Sequence, residues 1–266
     1  MFSHFPVVVD EATLPFEVAG STGCLGNVGL IESKKSNDHA DHSVLMDRIY
    51  RRQRYIYDLT RKYFLFGRDR LVRQLGAHPG ERIVEIGCGT ARNLIRIAKA
   101  YPDAKLYGLD ASIEMLRTAE AAVARAKLSD RIMLKHGLAE DLSPAAFGLE
   151  RTFDHAIFSY SLSMIPDWRA ALAAACRAMR PDGFVQVVDF GDLKNFWAPA
   201  NRGLRAWLRL WHVAPRDELL LALEAATGSP EDYSLYLLPG RFAFVLKATP
   251  GAILKIISAP QTSPPH

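Results

Sequence analysis

The sequence predicts an α/β fold: a doubly wound parallel sheet closed by a C-terminal antiparallel hairpin and preceded by a helical segment. Three observations predict it. From residue 82 onward, short apolar runs alternate with stretches of helical periodicity, the pattern of parallel strands joined by crossover helices. One of those strands runs directly into Gly87-Cys88-Gly89 and then into a helical pattern, a turn where backbone can approach a ligand that side chains would block. Near the end, two β-rich runs flank Pro239-Gly240, a turn dipeptide.

Residues 1–43 carry no sustained period and are expected to form a loosely ordered extension, with 33–43 as a solvated linker. His39 and His42 flank Asp41 there; a polar linker accounts for them, and no metal is expected. Over 44–76, Leu45, Ile49, Tyr50, Ile56, Leu59, Tyr63 and Phe66 recur every three or four positions. That spacing predicts one or two amphipathic helices broken near Gly67, forming a helical lid. The domain proper is expected over 77–249. Its strands fall at 82–86, 105–109, 131–136, 153–159 and 184–190, and its helices at 91–100, 113–127 and 168–179. Residues 196–227 read as helical, and 233–238 and 242–247 as the closing hairpin. Residues 250–266, with Pro250, Pro260, Pro264 and Pro265, are expected to be a flexible tail.

Composition narrows the class. With 266 residues, 49% apolar and 23% charged, the chain can bury a sizeable core and is neither fibrous nor disordered. No window reaches the ~18 consecutive apolar residues of a membrane span. The first twenty residues hold Asp10, Glu11 and Glu17 and no Lys or Arg, unlike a secretory signal, so a cytoplasmic location is expected. Cys24, Cys88 and Cys176 show no paired spacing, which fits a reducing compartment. The net charge of +4 is unevenly spread. Residues 47–73 contain nine Lys or Arg against three Asp, and 193–216 contain five basic residues and no acid, so the rest of the chain is net acidic. Two basic, aromatic-rich segments seek an anionic partner: a lipid surface, a nucleic acid or an anionic substrate.

The run Val84-Glu85-Ile86-Gly87-Cys88-Gly89-Thr90-Ala91-Arg92-Asn93 carries the chemistry. A dinucleotide site would want a small third residue in G-x-G-x-x-G, and that position is Arg92, which disfavours a nicotinamide enzyme. The carboxylate two residues before the first glycine, Glu85, makes the run resemble the first motif of class I S-adenosylmethionine (SAM) dependent methyltransferases, whose sheet is Rossmann-like. Asp110, at a strand end 23 residues after Gly87, is placed to accept both ribose hydroxyls. The resemblance implies a cofactor site of Glu85, Gly87, Cys88, Gly89, Asp110, Ala111, Met115 and Ser159, with Ala111 and Met115 beside ribose and adenine. In the family's third motif an aspartate meets the adenine amine; here Gly137-Leu138-Ala139-Glu140-Asp141 has Leu138 at that point, so the contact falls to Ala139 backbone or the Glu140 carboxylate.

The acceptor side is read from two segments. The fourth strand ends Phe158-Ser159-Tyr160-Ser161-Leu162, without the N/D-P-P-Y/F motif of enzymes that methylate nucleic-acid bases, and the basic segments contain no nucleic-acid module. Residues 46–61, MDRIYRRQRYIYDLTR, and 64–68, FLFGR, together with 159–168, resemble the betaine-lipid N-methyltransferases, a match spanning about 44–245. It implies successive methylation of diacylglyceryl-homoserine to the trimethylated lipid. Aromatic faces stabilise the developing cation by ~0.5 to 2 kcal/mol each, and Tyr57 and Tyr160 are the catalytic candidates. Arg61, Tyr63, Arg68 and Trp168 are the substrate-binding candidates. The interleaved Phe196, Trp197, Arg202, Leu204, Arg205, Trp207, Leu208, Arg209 and Trp211 suit an amphipathic helix at an anionic bilayer, implying peripheral contact with the inner face of the membrane. Alternatives are phosphatidylethanolamine or a quinone or other small molecule as acceptor, and a membrane-binding module with a vestigial cofactor site.

Overall fold

The computed structural model describes residues 65–210, 213–226 and 232–258. Seven strands form one sheet in the order β3-β2-β1-β4-β5-β7-β6: β1 Arg82–Ile86, β2 Lys105–Asp110, β3 Ile132–His136, β4 Phe153–Ser159, β5 Met179–Phe190, β6 Tyr233–Leu237 and β7 Ala243–Ala248. Strands β1 to β5 are parallel, and β7 runs antiparallel between β5 and β6. The described helices are α1 Arg68–Gln74, α2 Arg92–Ala100, α3 Ile113–Arg125, α4 Trp168–Ala178, α5 Ala198–Leu210, α6 Asp217–Ala225 and α7 Pro250–Ser258. From β1 the chain winds outward through β2 to β3, then returns to β4 on the other side of β1. Ligands of doubly wound sheets bind in the crevice at that reversal, outside the carboxyl ends of the strands.

Both faces of the sheet are covered, so its central strands are apolar runs without alternation. Val84, Ile86, Phe153, Phe158 and Phe244 face one core with α4 and α7 residues, whereas Ile83, Leu106, Ile157, Val188 and Val245 face the other with Leu94 and Ile97 of α2. Local chemistry starts the helices. Asp167 Oδ1 accepts from Ala170 N–H at 2.9 Å to cap α4, and Ser112 Oγ accepts from Met115 N–H at 3.3 Å to cap α3. No helix among the described residues is long and apolar enough to cross a membrane.

Three expectations need correction or limits. Pro250–Ser258 is a helix rather than part of a tail: Pro250 is the first helical residue, where a missing N–H costs nothing, and Ile253 and Ile256 are buried in the core. The fifth strand begins at Met179, because the chain stays paired to β4 through an irregularity between Phe153 and His155. Residues 1–64, including most of the expected lid, lie outside the described residues; Gly67, at φ +86°, does precede a helix start.

At the amino ends of the strands, His155 Nε2 lies 2.9 Å from Glu81 Oε2, and Arg180 Nη2 lies 3.2 Å from Glu81 Oε1. Burial lowers the His155 pKa more than the Glu81 carboxylate raises it, so the ring is neutral and its Nε2–H donates a hydrogen bond to Glu81. The Glu81 carboxyl is opposed by burial, but hydrogen bonds from His78 N–H and His155 hold it below its ordinary value. Both groups bind protons less readily folded than unfolded. Stability is therefore full above the imidazole's ordinary 6.5 and falls as pH drops below it. Denaturant titrations should show an acid limb of up to ~1.4 kcal/mol per pH unit for the His155 proton, flattened above the carboxylate range in His155→Gln. An unchanged limb in that variant would assign it to other groups.

Candidate active site

The glycine turn sits at the carboxyl end of β1, beside the sheet reversal. Gly87, Gly89 and Ala91 all have positive φ, at +70°, +54° and +56°. Gly87 and Cys88 N–H both donate to the Leu109 carbonyl, at 2.8 and 3.0 Å, which ties the turn to the end of β2. A Cβ at Gly87 would lie 2.4 Å from Ser161 Cβ, so only glycine lets the turn and the loop after β4 approach this closely. Ser161 Oγ–H in turn donates to the Ile86 carbonyl at 2.7 Å.

Two buried carboxylates flank the turn. Glu85 Oε1 accepts from Asn93 Nδ2 at 2.8 Å, so the first turn of α2 orients the acid one residue before the end of β1. Asp110 Oδ2 accepts from Gly89 N–H at 2.7 Å and Oδ1 from Ser112 N–H at 2.9 Å. A carboxylate oxygen can accept more than one hydrogen bond, so a carboxylate at this place can hold the turn and also meet a vicinal diol. Ser159, at the end of β4, is buried with a hydroxyl that has no hydrogen-bond partner among the described residues. Next to Asp110, the Ala111 carbonyl lies 3.0 Å from His136 Nε2. Met115 is buried in the first turn of α3, and Ala139 and Glu140, half-buried, begin a short 3-10 helix after β3. The structure thus brings the expected cofactor residues to the carboxyl edge of β1, β2, β3 and β4. They fit SAM: a glycine turn whose backbone lies close to the loop after β4, a carboxylate held at the end of β2, and a buried hydroxyl without a hydrogen-bond partner among the described residues.

The acceptor candidates divide differently. Tyr57, Arg61 and Tyr63 lie outside the described residues. Tyr160, at φ +56°, is buried; its phenol donates to the Phe66 carbonyl at 2.6 Å, and the Arg68 guanidinium lies 5.6 Å from its ring centroid. The ring face expected to meet a substrate cation already meets a cation of the protein itself. Burial, foremost, and the nearby Asp189 carboxylate push the Tyr160 pKa far up, so the phenol keeps its proton. Its role here is to anchor the segment before α1 to the sheet. Tyr160→Phe leaves the Phe66 carbonyl without this donor, a cost of about 1–3 kcal/mol. Acceptor KM should rise in that variant while the Kd for S-adenosylhomocysteine stays within about twofold; calorimetry beside steady-state kinetics checks this. Trp168, the other aromatic candidate, is buried at the start of α4 with the Arg169 guanidinium 4.2 Å from its ring centroid.

The second basic segment is largely consumed by structure. Arg216 Nε donates to the Leu162 carbonyl at 3.0 Å and its Nη2 to the Ile165 carbonyl, pinning the loop after β4. Arg205 pairs with Asp217 at 2.9 Å and donates to the Asp192 carbonyl. Lys194 lies 3.2 Å from Asp192, whose carboxylate also holds Arg241 through two contacts of 2.6 and 2.7 Å. Leu204, Trp207 and Leu208 pack on the core, so this face of α5 is not free for a bilayer; Trp197 and Leu210 are 77% and 72% exposed. Sequence reasoning missed Asp189, fully buried at the end of β5, which accepts Ser163 N–H at 2.9 Å and fixes the other side of the same loop. An acid ending a buried strand was the available signal.

A reversal of strand order over a glycine turn flanked by two buried carboxylates defines an enzyme fold built for an adenosyl cofactor. Comparisons with known proteins identify it further. Residues 83–183 match the family model described as "Methyltransferase domain". The ubiquinone/menaquinone biosynthesis C-methyltransferase UbiE of Syntrophotalea carbinolica is 34% identical over 192 residues, covering 70% of this chain and 75% of that one. The demethylmenaquinone methyltransferase of Geobacillus kaustophilus is 29% identical over 123 residues, 46% of this chain; there the match spans half of the relative's length. The apo structure of the SAM-dependent methyltransferase SibL shares the fold, with a TM-score of 0.53 at 20% identity over 73% of this chain and 57% of its own. The chain belongs to the class I SAM-dependent methyltransferases.

Proposed function

We propose that this methyltransferase acts on the polar head of a membrane-borne amphiphile, and that the head is the amine of diacylglyceryl-homoserine. The single observation that carries the amine reading is Arg68, a buried guanidinium beside Tyr160, the residue that follows β4. A homoserine head presents a carboxylate that such a cation can hold, which a quinone ring lacks. Residues 46–68 support the same reading through their resemblance to the betaine-lipid enzymes. The relatives support a second reading better than the first: those from Syntrophotalea and Geobacillus are named for quinone methylation, which favours a quinone-ring carbon as the acceptor.

Bound SAM supplies a methyl group on a sulfonium, and transfer to nitrogen is an in-line displacement that the site promotes by alignment. Gly87, Gly89 and the two carboxylates orient the donor. Ser161, Asp189 and Arg216 hold the loop after β4 over the acceptor side. The amine must arrive neutral or lose its proton before each attack, and Tyr160, already protonated and hydrogen-bonded, is not the group that takes it.

The test supplies methyl-labelled SAM with vesicles containing homoserine lipid, demethylmenaquinone or phosphatidylethanolamine, and resolves the extracted lipids by chromatography. Label is expected in mono-, di- and trimethylated homoserine lipid. Label in the quinone alone would establish the second reading, label in phosphatidylethanolamine alone would replace both, and label in none would remove the membrane-borne acceptor.

A further inference from the structure

A groove of about 470 Å³ opens between α1, the start of α2 and the turn after β6. Arg68, Arg70, Arg73, Arg92 and Arg96 line it, against one acid, Asp69, which is engaged by Arg96 at 2.5 Å. Neither the cofactor site nor the acceptor site includes Arg70, Arg73 or Arg92. The Arg70 guanidinium lies 3.7 Å from the Tyr236 ring centroid, and its buried Nε has no hydrogen-bond partner among the described residues. Guanidinium groups gathered in one concavity suit an anion, because arginine forks match phosphate oxygens.

The rim is apolar. Phe66 is 55% exposed and Tyr236 42%, and Leu65, Leu238 and Pro239 complete the lining. Phe66 packs edge-on against Phe242 at 5.8 Å, and Phe242 meets Phe196 at 6.4 Å, the residue before the exposed Trp197. Exposed aromatics beside a cationic hollow match the headgroup level of a bilayer, where an aromatic ring sits between water and acyl chains.

We propose that this groove takes the phosphate of an anionic phospholipid and docks the enzyme on the leaflet that supplies its acceptor. The proposal extends the membrane-borne acceptor reading and assigns the docking phosphate to Arg70, Arg73 and Arg92, leaving Arg68 to the acceptor, so it holds for either acceptor. Each basic residue close to an anionic surface strengthens binding roughly fivefold. Removing three should weaken it about a hundredfold.

The experiment measures co-sedimentation of the full chain, loaded with S-adenosylhomocysteine, with phosphatidylcholine vesicles with or without phosphatidylglycerol. Wild type is expected to bind only the phosphatidylglycerol vesicles. The variant Arg70→Gln/Arg73→Gln/Arg92→Gln should lose about a hundredfold in that partition, with its thermal midpoint and S-adenosylhomocysteine affinity kept. A charge-matched control at the opposite sheet edge, Lys105→Gln/Arg125→Gln/Lys135→Gln, should bind like wild type. Because the readout is vesicle binding, a negative acceptor assay leaves this result standing, and the reverse also holds. Four outcomes would overturn the proposal: no binding by wild type, an unchanged groove variant, equal loss in the control, or preferential binding of an RNA oligomer. Displacement from vesicles by millimolar glycerol phosphate at constant ionic strength would assign the groove to a soluble phosphate and overturn it too.

Discussion

Asp110→Asn should weaken S-adenosylhomocysteine binding by a hundredfold or more. The carboxylate at the end of β2 is an acceptor on both oxygens, each already meeting a backbone N–H from Gly89 or Ser112. A ribose diol adds two charge-assisted hydrogen bonds, worth about 1.5–3 kcal/mol apiece. An amide of the same shape offers one acceptor and two donors, so its NH2 must face either a backbone N–H or a hydroxyl that needs an acceptor. Part of the loss will therefore appear without ligand, as a lower unfolding free energy of about 1–3 kcal/mol, because the turn is no longer held. Calorimetric affinity and a ligand-free denaturant titration separate the two contributions. An affinity within threefold of wild type would remove Asp110 from the cofactor site and leave it a purely structural brace.

The site was legible from sequence in proportion to how local its chemistry is. Strands β1 and β4 match their expected bounds, because each is an almost wholly buried run that ends at residues of the turn or loop beside the cofactor crevice. Glu85, Gly87, Gly89 and Asp110 could be placed at the carboxyl edge of the sheet because the fold fixes their spacing along the chain. The acceptor side was not legible in that way. Whether Arg216 is a surface cation or a brace depends on the Leu162 and Ile165 carbonyls more than 50 residues away, and Arg241 meets Asp192 across 49 residues. Those partners turned a segment that reads as a uniformly cationic face into an internal truss, with Arg202, Arg209, Trp197 and Leu210 left exposed. Pro250 misled for a different reason: proline ends helices from within but is well suited to the first turn, and no local cue except Thr249 separates the cases. Thr249 Oγ1 accepts Ala252 N–H at 3.3 Å, the cap that starts α7.

Gly87→Ala carries the other large effect, and it can be divided into its parts. The backbone at φ +70° disfavours any L-residue by about 1–2 kcal/mol. The added methyl would stand 2.4 Å from Ser161 Cβ, well inside the ~3.5–4 Å of an ordinary carbon contact. Ser161 cannot swing aside freely, since its hydroxyl holds the Ile86 carbonyl and its backbone carbonyl accepts from Met164 and Ile165 N–H. Overpacking of this kind costs about 1–3 kcal/mol, so the variant should lose about 2–5 kcal/mol of stability. Cofactor affinity should fall with it, because relief of the clash must separate the glycine turn from the loop after β4, and those two segments form the walls of the crevice. The double variant Gly87→Ala/Ser161→Gly removes the clashing Cβ but keeps the strained φ. It should recover part of the affinity, and the coupling energy between the two positions should be favourable by at least ~1 kcal/mol. Strict additivity would show that backbone strain alone explains the single variant and that turn and loop do not act as one unit.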